Sequence, residues 1–219
     1  LGRPLSRLLP IVAEPPLDDS IFGDRFANVV GDGILYGPIV HDDILGGIAA
    51  YDVSDAANPT RIGVLDFGVR TVDGLAYENG RVYATHTGAT TSAATLSIIT
   101  AANPANLVLL SETQLPRPAS RLAVSDNTVY VSCAWECSDL FVFDATDPAN
   151  VEQIAVHTLP HPAANLTYDP ARQLLYATSF RNDTLALDVS DPTQPVIVAS
   201  TPISGQITVL DDGLLIAAE

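Results

Sequence analysis

The chain has no lysine, no methionine, two cysteines and one tryptophan in 219 residues, and only 16% of it is charged. Its ten basic residues, all arginine, stand against 26 acidic ones, giving a formal net charge of −16 at pH 7. Binding a polyphosphate relies on clustered Lys and Arg, so this balance excludes nucleic acid as a partner and disfavours an anionic membrane face. Cationic ligands, metal ions or basic proteins fit it better, and the plain reading is that acidity keeps the protein soluble in a salty or extracellular medium. No stretch approaches the roughly 18 consecutive apolar residues of a membrane-spanning helix, so no membrane insertion is expected of this segment. Leu1 to Pro16 is apolar but interrupted by Pro4, Pro10, Pro15 and Pro16 and by two arginines, without the continuous apolar centre of a signal peptide. Beginning at Leu1 and lacking Met, the sequence reads as a processed product or an excerpt.

What is abundant is apolar residues, 47% of the chain, enough to bury a large core. They are organised as a repeat. YDVSDAANPTRIGVL from Tyr51 returns as LDVSDPTQPVIVAS from Leu187, FDATDPANVEQIAV from Phe143 is a third copy, and ITAANPANLVLL from Ile99 is a degenerate fourth. The anchors Asp52, Thr100, Asp144 and Asp188 are 48, 44 and 44 residues apart. Upstream of each lies a second shared element marked by Tyr36, Tyr83, Tyr130 and Tyr176.

In the third copy the strand signals run SRLAVS, TVYVSC, DLFVFD and VEQIAVHTL, short and rich in β-branched or aromatic residues. GDG, ENG and SDN between first and second strands carry tight-hairpin chemistry. No segment has helical apolar spacing with caps. Four-stranded sheets with two apolar faces bury both by stacking around an axis. The expectation is an all-β β-propeller of four-stranded antiparallel blades, four full repeats plus part of a fifth. As one domain over 1–219, its blades would fall at about 22–70, 71–117, 118–161 and 162–204, with a partial blade at 205–219 and a possible preceding-blade strand within 1–21. A third strand for the fifth unit is missing, which favours an excerpt of a larger ring over a ring of five.

DVSDAANP at Asp52 and DVSDPTQP at Asp188 resemble the LVIVD-type repeat family, whose signature is an apolar strand ending in Asp, then Val, Ser, Asp, Pro and a later Pro. The third repeat has Val151 where the later Pro belongs, and the second replaces both acidic anchors with Thr100 and Asn103. The resemblance spans about residues 26 to 219. It implies a bacterial or archaeal cell-surface or secreted propeller and supplies no catalytic residue.

Asp52 and Asp55, Asp144 and Asp147, and Asp188 and Asp191 form a repeated carboxylate pair. Calcium is the ion such groups would take, with His41, Asp42 and Asp43 the other loose cluster, but capping of a turn is the simpler role. No cofactor is expected, and the four histidines, His41, His86, His157 and His161, have no zinc spacing. His86, Cys133 and Ser179 share a repeat position that reads as a rim, leading into the connection between second and third strands. Cys133 and Cys137 can close a small disulfide in an oxidising compartment, with Trp135 between them as a contact residue. Asp73, Arg121 and Asn165, early in the first strands, would line the channel, either converging on a ligand or only hydrating it.

No nucleophile elbow, phosphate loop or catalytic triad is recognisable. These residues point to an extracytoplasmic binding or scaffold propeller, secreted, periplasmic or at the cell surface, with a protein, glycan or small-molecule partner. The alternatives are a lactonase-like hydrolase with a metal in the channel and passive display architecture in a larger surface protein.

Overall fold

The computed structural model describes residues 28–41, 44–68, 70–88, 93–133, 137–179, 183–203, 206–209 and 215–218. Their regular structure is all strand. Blade 1 is β1 (Val29–Gly31), β2 (Ile34–His41), β3 (Ile44–Asp52) and β4 (Thr60–Asp66). Blade 2 is β5 (Arg70–Glu78), β6 (Arg81–Gly88), β7 (Ala94–Thr100) and β8 (Val108–Gln114). Blade 3 is β9 (Ala119–Ser125), β10 (Thr128–Cys133), β11 (Asp139–Asp144) and β12 (Glu152–Thr158). Blade 4 is β13 (Ala163–Asp169), β14 (Leu174–Ser179), β15 (Thr184–Asp188) and β16 (Val196–Thr201). A hairpin of β17 (Gln206–Val209) and β18 (Leu215–Ala218) follows. Each sheet keeps chain order across its width, with antiparallel pairing throughout.

Local chemistry sets these hairpins. Asp32 and Gly33, Asn79 and Gly80, and Asp126 and Asn127 all have positive φ. They close two-residue turns under the pairs Gly31↔Ile34, Glu78↔Arg81 and Ser125↔Thr128. Two consecutive left-handed residues match the twist of the flanking strands, and Asn, Asp and Gly reach that region most readily. Blade 4 has a longer turn in which the Asp169 carboxylate accepts from the Ala171 amide at 3.0 Å and the Arg172 guanidinium at 2.7 Å.

The repeated Asp pairs are turn caps. Asp52, Asp144 and Asp188 accept the amide two residues on at 2.8, 2.8 and 2.9 Å. Asp55, Asp147 and Asp191 do the same for Ala57, Ala149 and Thr193 at 3.0, 3.0 and 2.9 Å. These hydrogen bonds hold all six carboxyls below their ordinary range. In blade 2, Thr100 and Asn103 preserve the geometry with longer bonds of 3.4 and 3.2 Å.

The first strands β5, β9, β13 and β17 lie side by side, so the sheets radiate from them and bury both faces against their neighbours. Between blades 1 and 2, Tyr36, Ile48 and Ala50 meet Val72, Leu75, Val82 and Ala84. Between blades 2 and 3, Tyr83, Leu96 and Ile98 meet Leu122, Val129, Val131 and Phe141. Tyr130, Leu140 and Val142 meet Leu166, Leu175, Ala177 and Leu187 at the next seam. Each large side chain fully buried this way contributes roughly 1.5–3 kcal/mol. Tyr36, Tyr83 and Tyr130 are seam residues, and burial pushes their hydroxyls above the ordinary pKa, leaving them neutral.

Every outer strand bulges at one equivalent place: Ile62, Leu110, Ile154 and Val198 are each skipped by the pairing with the third strand. Such bulges blunt an exposed edge.

Candidate binding face at the bulged ends of the inner strands

In blades 2 to 4 the first strand bulges where it meets the end of the second. Pairing jumps from Val72↔His86 to Gly74↔Thr85, from Ala119↔Cys133 to Leu122↔Val131, and from Ala163↔Ser179 to Asn165↔Thr178. An extra residue re-aims the side chains beside it. Asp73 is the extra residue in blade 2, while Arg121 and Asn165 stand one position further along their own strands.

The structure joins two of these three. Asp73, buried on β5, takes a hydrogen bond from Thr87 Oγ1 to its Oδ2 at 2.6 Å. From β9, Arg121 Nη1 donates to the Asp73 carbonyl, tying blade 3 to blade 2 beside the axis. Arg121 is held in turn by Ser132: its amide donates to Ser132 Oγ at 3.2 Å, and that hydroxyl donates to the Arg121 carbonyl at 3.3 Å. Asn165 is half-buried one blade further on. Successive inner strands therefore carry a buried carboxylate, a half-buried guanidinium and a half-buried amide at this end, a mixture of donors and acceptors.

Around this row lie the connections from second to third and from fourth to first strands. Cys133 and Cys137 are disulfide-bonded with Cα atoms 5.6 Å apart, pinning the β10–β11 connection to the blade 2–3 seam. His161 Nε2 lies 3.3 Å from Asp183 Oδ2, and Arg117 Nε 3.9 Å from Asp139 Oδ2, so a basic residue before β13 and another before β9 each meet the carboxylate that precedes or opens the third strand. Trp135 and Asp42 lie outside the described residues. His41 pairs with Ile44 at the end of β2, and its side chain lies outside the described set.

His86 requires a correction. The rim position expected for it is wrong: β6 continues to Gly88, and His86 is 1% exposed inside the blade 1–2 seam. Alternation along β6 puts it on the face of Val82 and Ala84. There Nε2 lies 2.7 Å from Ser97 Oγ and 3.6 Å from Glu112 Oε1, with the Phe67 ring centroid 4.8 Å away. Thr87, Ser97, Glu112 and Ser132 were not anticipated. Only a register-level comparison of the repeats, with Ser97 opposite apolar residues elsewhere, carries a signal for them.

Among the described residues no group of three or more His, Cys, Asp or Glu is placed to hold a metal ion, and no helix is long and apolar enough to cross a membrane. No protein-family model matches the chain, and no curated protein matches it. Solved structures do. A protein from Lactobacillus plantarum superposes with a TM-score of 0.66 at 15% identity, covering 84% of this chain and 60% of that one. A functionally unknown protein from Desulfotomaculum acetoxidans gives 0.70 at 9% identity, covering 87% and 62%. A chain of a mitotic checkpoint complex gives 0.64 at 12%, covering 85% and 56%. At these identities the likeness shows the fold alone: an all-β propeller of antiparallel four-stranded blades. The chain spans 56% to 62% of the length of these structures.

Proposed function

We propose that this chain belongs to an extracytoplasmic binding propeller of the LVIVD-repeat type. It engages a protein, glycan or small molecule on the face where its inner strands bulge. The observation that carries the reading is the cross-seam link from Arg121 to the Asp73 carbonyl. It gathers oppositely charged groups beside the axis, at the end that also bears the disulfide-pinned connection. The disulfide supports an oxidising compartment. The excess of acid supports a partner other than nucleic acid.

The test is a screen of the complete protein against glycan arrays and extracellular proteins, followed by Arg121→Gln and Asp73→Asn in the binder found. Loss of binding by at least about tenfold, or about 1.4 kcal/mol, with unfolding midpoints retained, supports the reading. Binding indifferent to both substitutions overturns the assigned face. Metal-dependent turnover with stoichiometric calcium or zinc in place of a partner overturns the binding role in favour of a hydrolase.

A further inference from the structure

The links that lead into β9 and β13 are built alike. Leu115, Pro116, Arg117, Pro118 and Ala119 match Leu159, Pro160, His161, Pro162 and Ala163 in order. Each leucine is buried, and its amide donates to a carbonyl at the start of the third strand it has just left, Leu115 to Ala94 at 2.9 Å and Leu159 to Ser138 at 2.7 Å. Each alanine is buried where the next inner strand begins. Between these anchors, two prolines hold the backbone of one basic residue, because proline fixes its own φ and keeps the residue before it extended. Passing from blade to blade does not need this frame. The link into β5 has Gly68, Val69 and Arg70 in its place, after Phe67, whose amide makes the matching bond to the Gly46 carbonyl at 2.9 Å.

Both framed residues stand at the bulged end beside an aspartate that is also matched between the repeats. Arg117 is 61% exposed, and its Nε is 3.9 Å from Asp139 Oδ2, too far for a hydrogen bond. His161 is 37% exposed, and its Nε2 is 3.3 Å from Asp183 Oδ2. Asp139 Oδ1 accepts from Thr158 Oγ1 at 3.0 Å, but Pro202 takes the place of Thr158 in blade 4, and Asp183 Oδ1 has no hydrogen-bond partner. The Asp183 carboxylate, 25% exposed, thus has acceptor capacity that its own blade does not use. Exposed ion pairs add little to stability, so folding does not explain four prolines set around two of them.

We infer that these two pairs, Arg117 with Asp139 and His161 with Asp183, form a binding site for a neutral glycan. The inference rests on the binding face proposed above and names the ligand class it takes. A hydroxyl both donates and accepts, so adjacent sugar hydroxyls fit a carboxylate beside a basic side chain, one hydroxyl donating to the acid and the next accepting from the base. An acidic ligand would meet Asp139 and Asp183 on a chain of net charge −16, and a cationic one would meet Arg117. A neutral ligand meets no like charge. Proline framing lowers the ordering cost of binding, because the basic residues are held in place beforehand. The pair recurs at the links from blade 2 to blade 3 and from blade 3 to blade 4, so the ligand is a glycan chain reaching both and not a single sugar.

The experiment titrates the complete protein by calorimetry with monosaccharides and oligosaccharides of β-glucan, mannan and galactan, and with oligogalacturonate as the acidic counterpart. Wild type should bind at least one neutral oligosaccharide, and more tightly than the matching monosaccharide. Arg117→Ala, His161→Ala and Asp183→Ala should each weaken that binding by about tenfold or more with unfolding midpoints retained. If Asp183→Ala fails to fold, the two exposed basic residues still decide. Binding of none of the neutral oligosaccharides, preference for oligogalacturonate, or indifference to Arg117→Ala and His161→Ala overturns the inference. A partner weakened by Arg121→Gln and Asp73→Asn but not by Arg117→Ala or His161→Ala overturns this site alone and leaves the binding face standing. A partner indifferent to all four overturns both.

Discussion

Gly63 on β4 allows the outer strand of blade 1 to rest on the turn between β7 and β8 of blade 2. A Cβ built there would sit 2.0 Å from the Pro104 carbonyl oxygen and 3.2 Å from Ala105 Cα. Both are backbone atoms of a turn closed by the Asn106 amide on the Asn103 carbonyl at 2.9 Å, so neither can rotate aside. Gly63→Ala must therefore part the two blades by about one ångström. Overpacking of this kind costs about 1–3 kcal/mol, offset by about 0.4–1 kcal/mol from the lower entropy of the unfolded chain. The net expectation is about 1–2 kcal/mol of lost stability, or roughly 2–8 °C at the unfolding midpoint for a chain of this size.

Gly37→Ala is the internal control. Its added Cβ meets only the Asn28 side chain, Oδ1 at 2.6 Å, and that amide can swing away. Urea unfolding of both variants with unchanged m-values measures the difference. A Gly63→Ala protein as stable as wild type, or more stable than Gly37→Ala, would refute the claim that backbone approach between blades fixes this position.

Three other outcomes are expected. Glu78 accepts the amides of Asp126 and Asn127 at 2.8 and 2.9 Å, clamping blade 2 to the blade 3 turn. Its change to Ala should lower stability by about 1–2 kcal/mol in denaturant titration, the range for charge-assisted bonds after discounting for solvent, whereas a change under about 0.5 kcal/mol would remove the clamp. Thr100→Asp restores the shorter cap seen in the other blades and should raise stability by about 0.5 kcal/mol or more in the same titration; lower stability would show that the carboxylate is not what shortens the bond. Because turn hydrogen bonds depress the Asp52, Asp55, Asp144, Asp147, Asp188 and Asp191 carboxyls in the folded state, their stabilisation is full above about pH 4. It is lost as pH falls through their folded values. Asp144→Asn with Asp188→Asn keeps the caps without the titration, so its acid-unfolding curve should be shallower than wild type, and identical curves would count against the assignment.

Much of the blade was legible because its determinants are local. Asp32 and Gly33, Asn79 and Gly80, and Asp126 and Asn127 are turn residues within two positions of the bonds they close, and the Asp caps reach only two or three residues ahead. The site was less legible because its determinants cross strands. His86 aligned with Cys133 at the end of a second strand, yet β6 runs two residues beyond it, and pairing with β5 and β7 turns its ring into the seam. Arg121 and Asp73 are 48 residues apart, and nothing in either strand announces that the guanidinium reaches the neighbouring blade.

A repeat shows one structural position under several chemistries, and this separates what the fold requires from what the particular chain adds. At the caps, Thr100 and Asn103 replace carboxylates and the turn survives with longer bonds, so the turn needs an acceptor and not a charge. The repeated acids therefore require no ligand to explain them. The opposite holds at the end of the second strand. There Cys133 forms a bond to Cys137 that no other described blade has, and His86 brings Ser97 and Glu112 into a seam that Phe141 and Leu185 fill elsewhere with apolar bulk. Neither arrangement is needed to stack a blade, since neighbouring blades stack without it. The chemistry peculiar to this chain thus concentrates at one end of blades 2 and 3, beside the Asp73 and Arg121 link, and substitutions of the half-buried groups there should alter binding before they alter the fold.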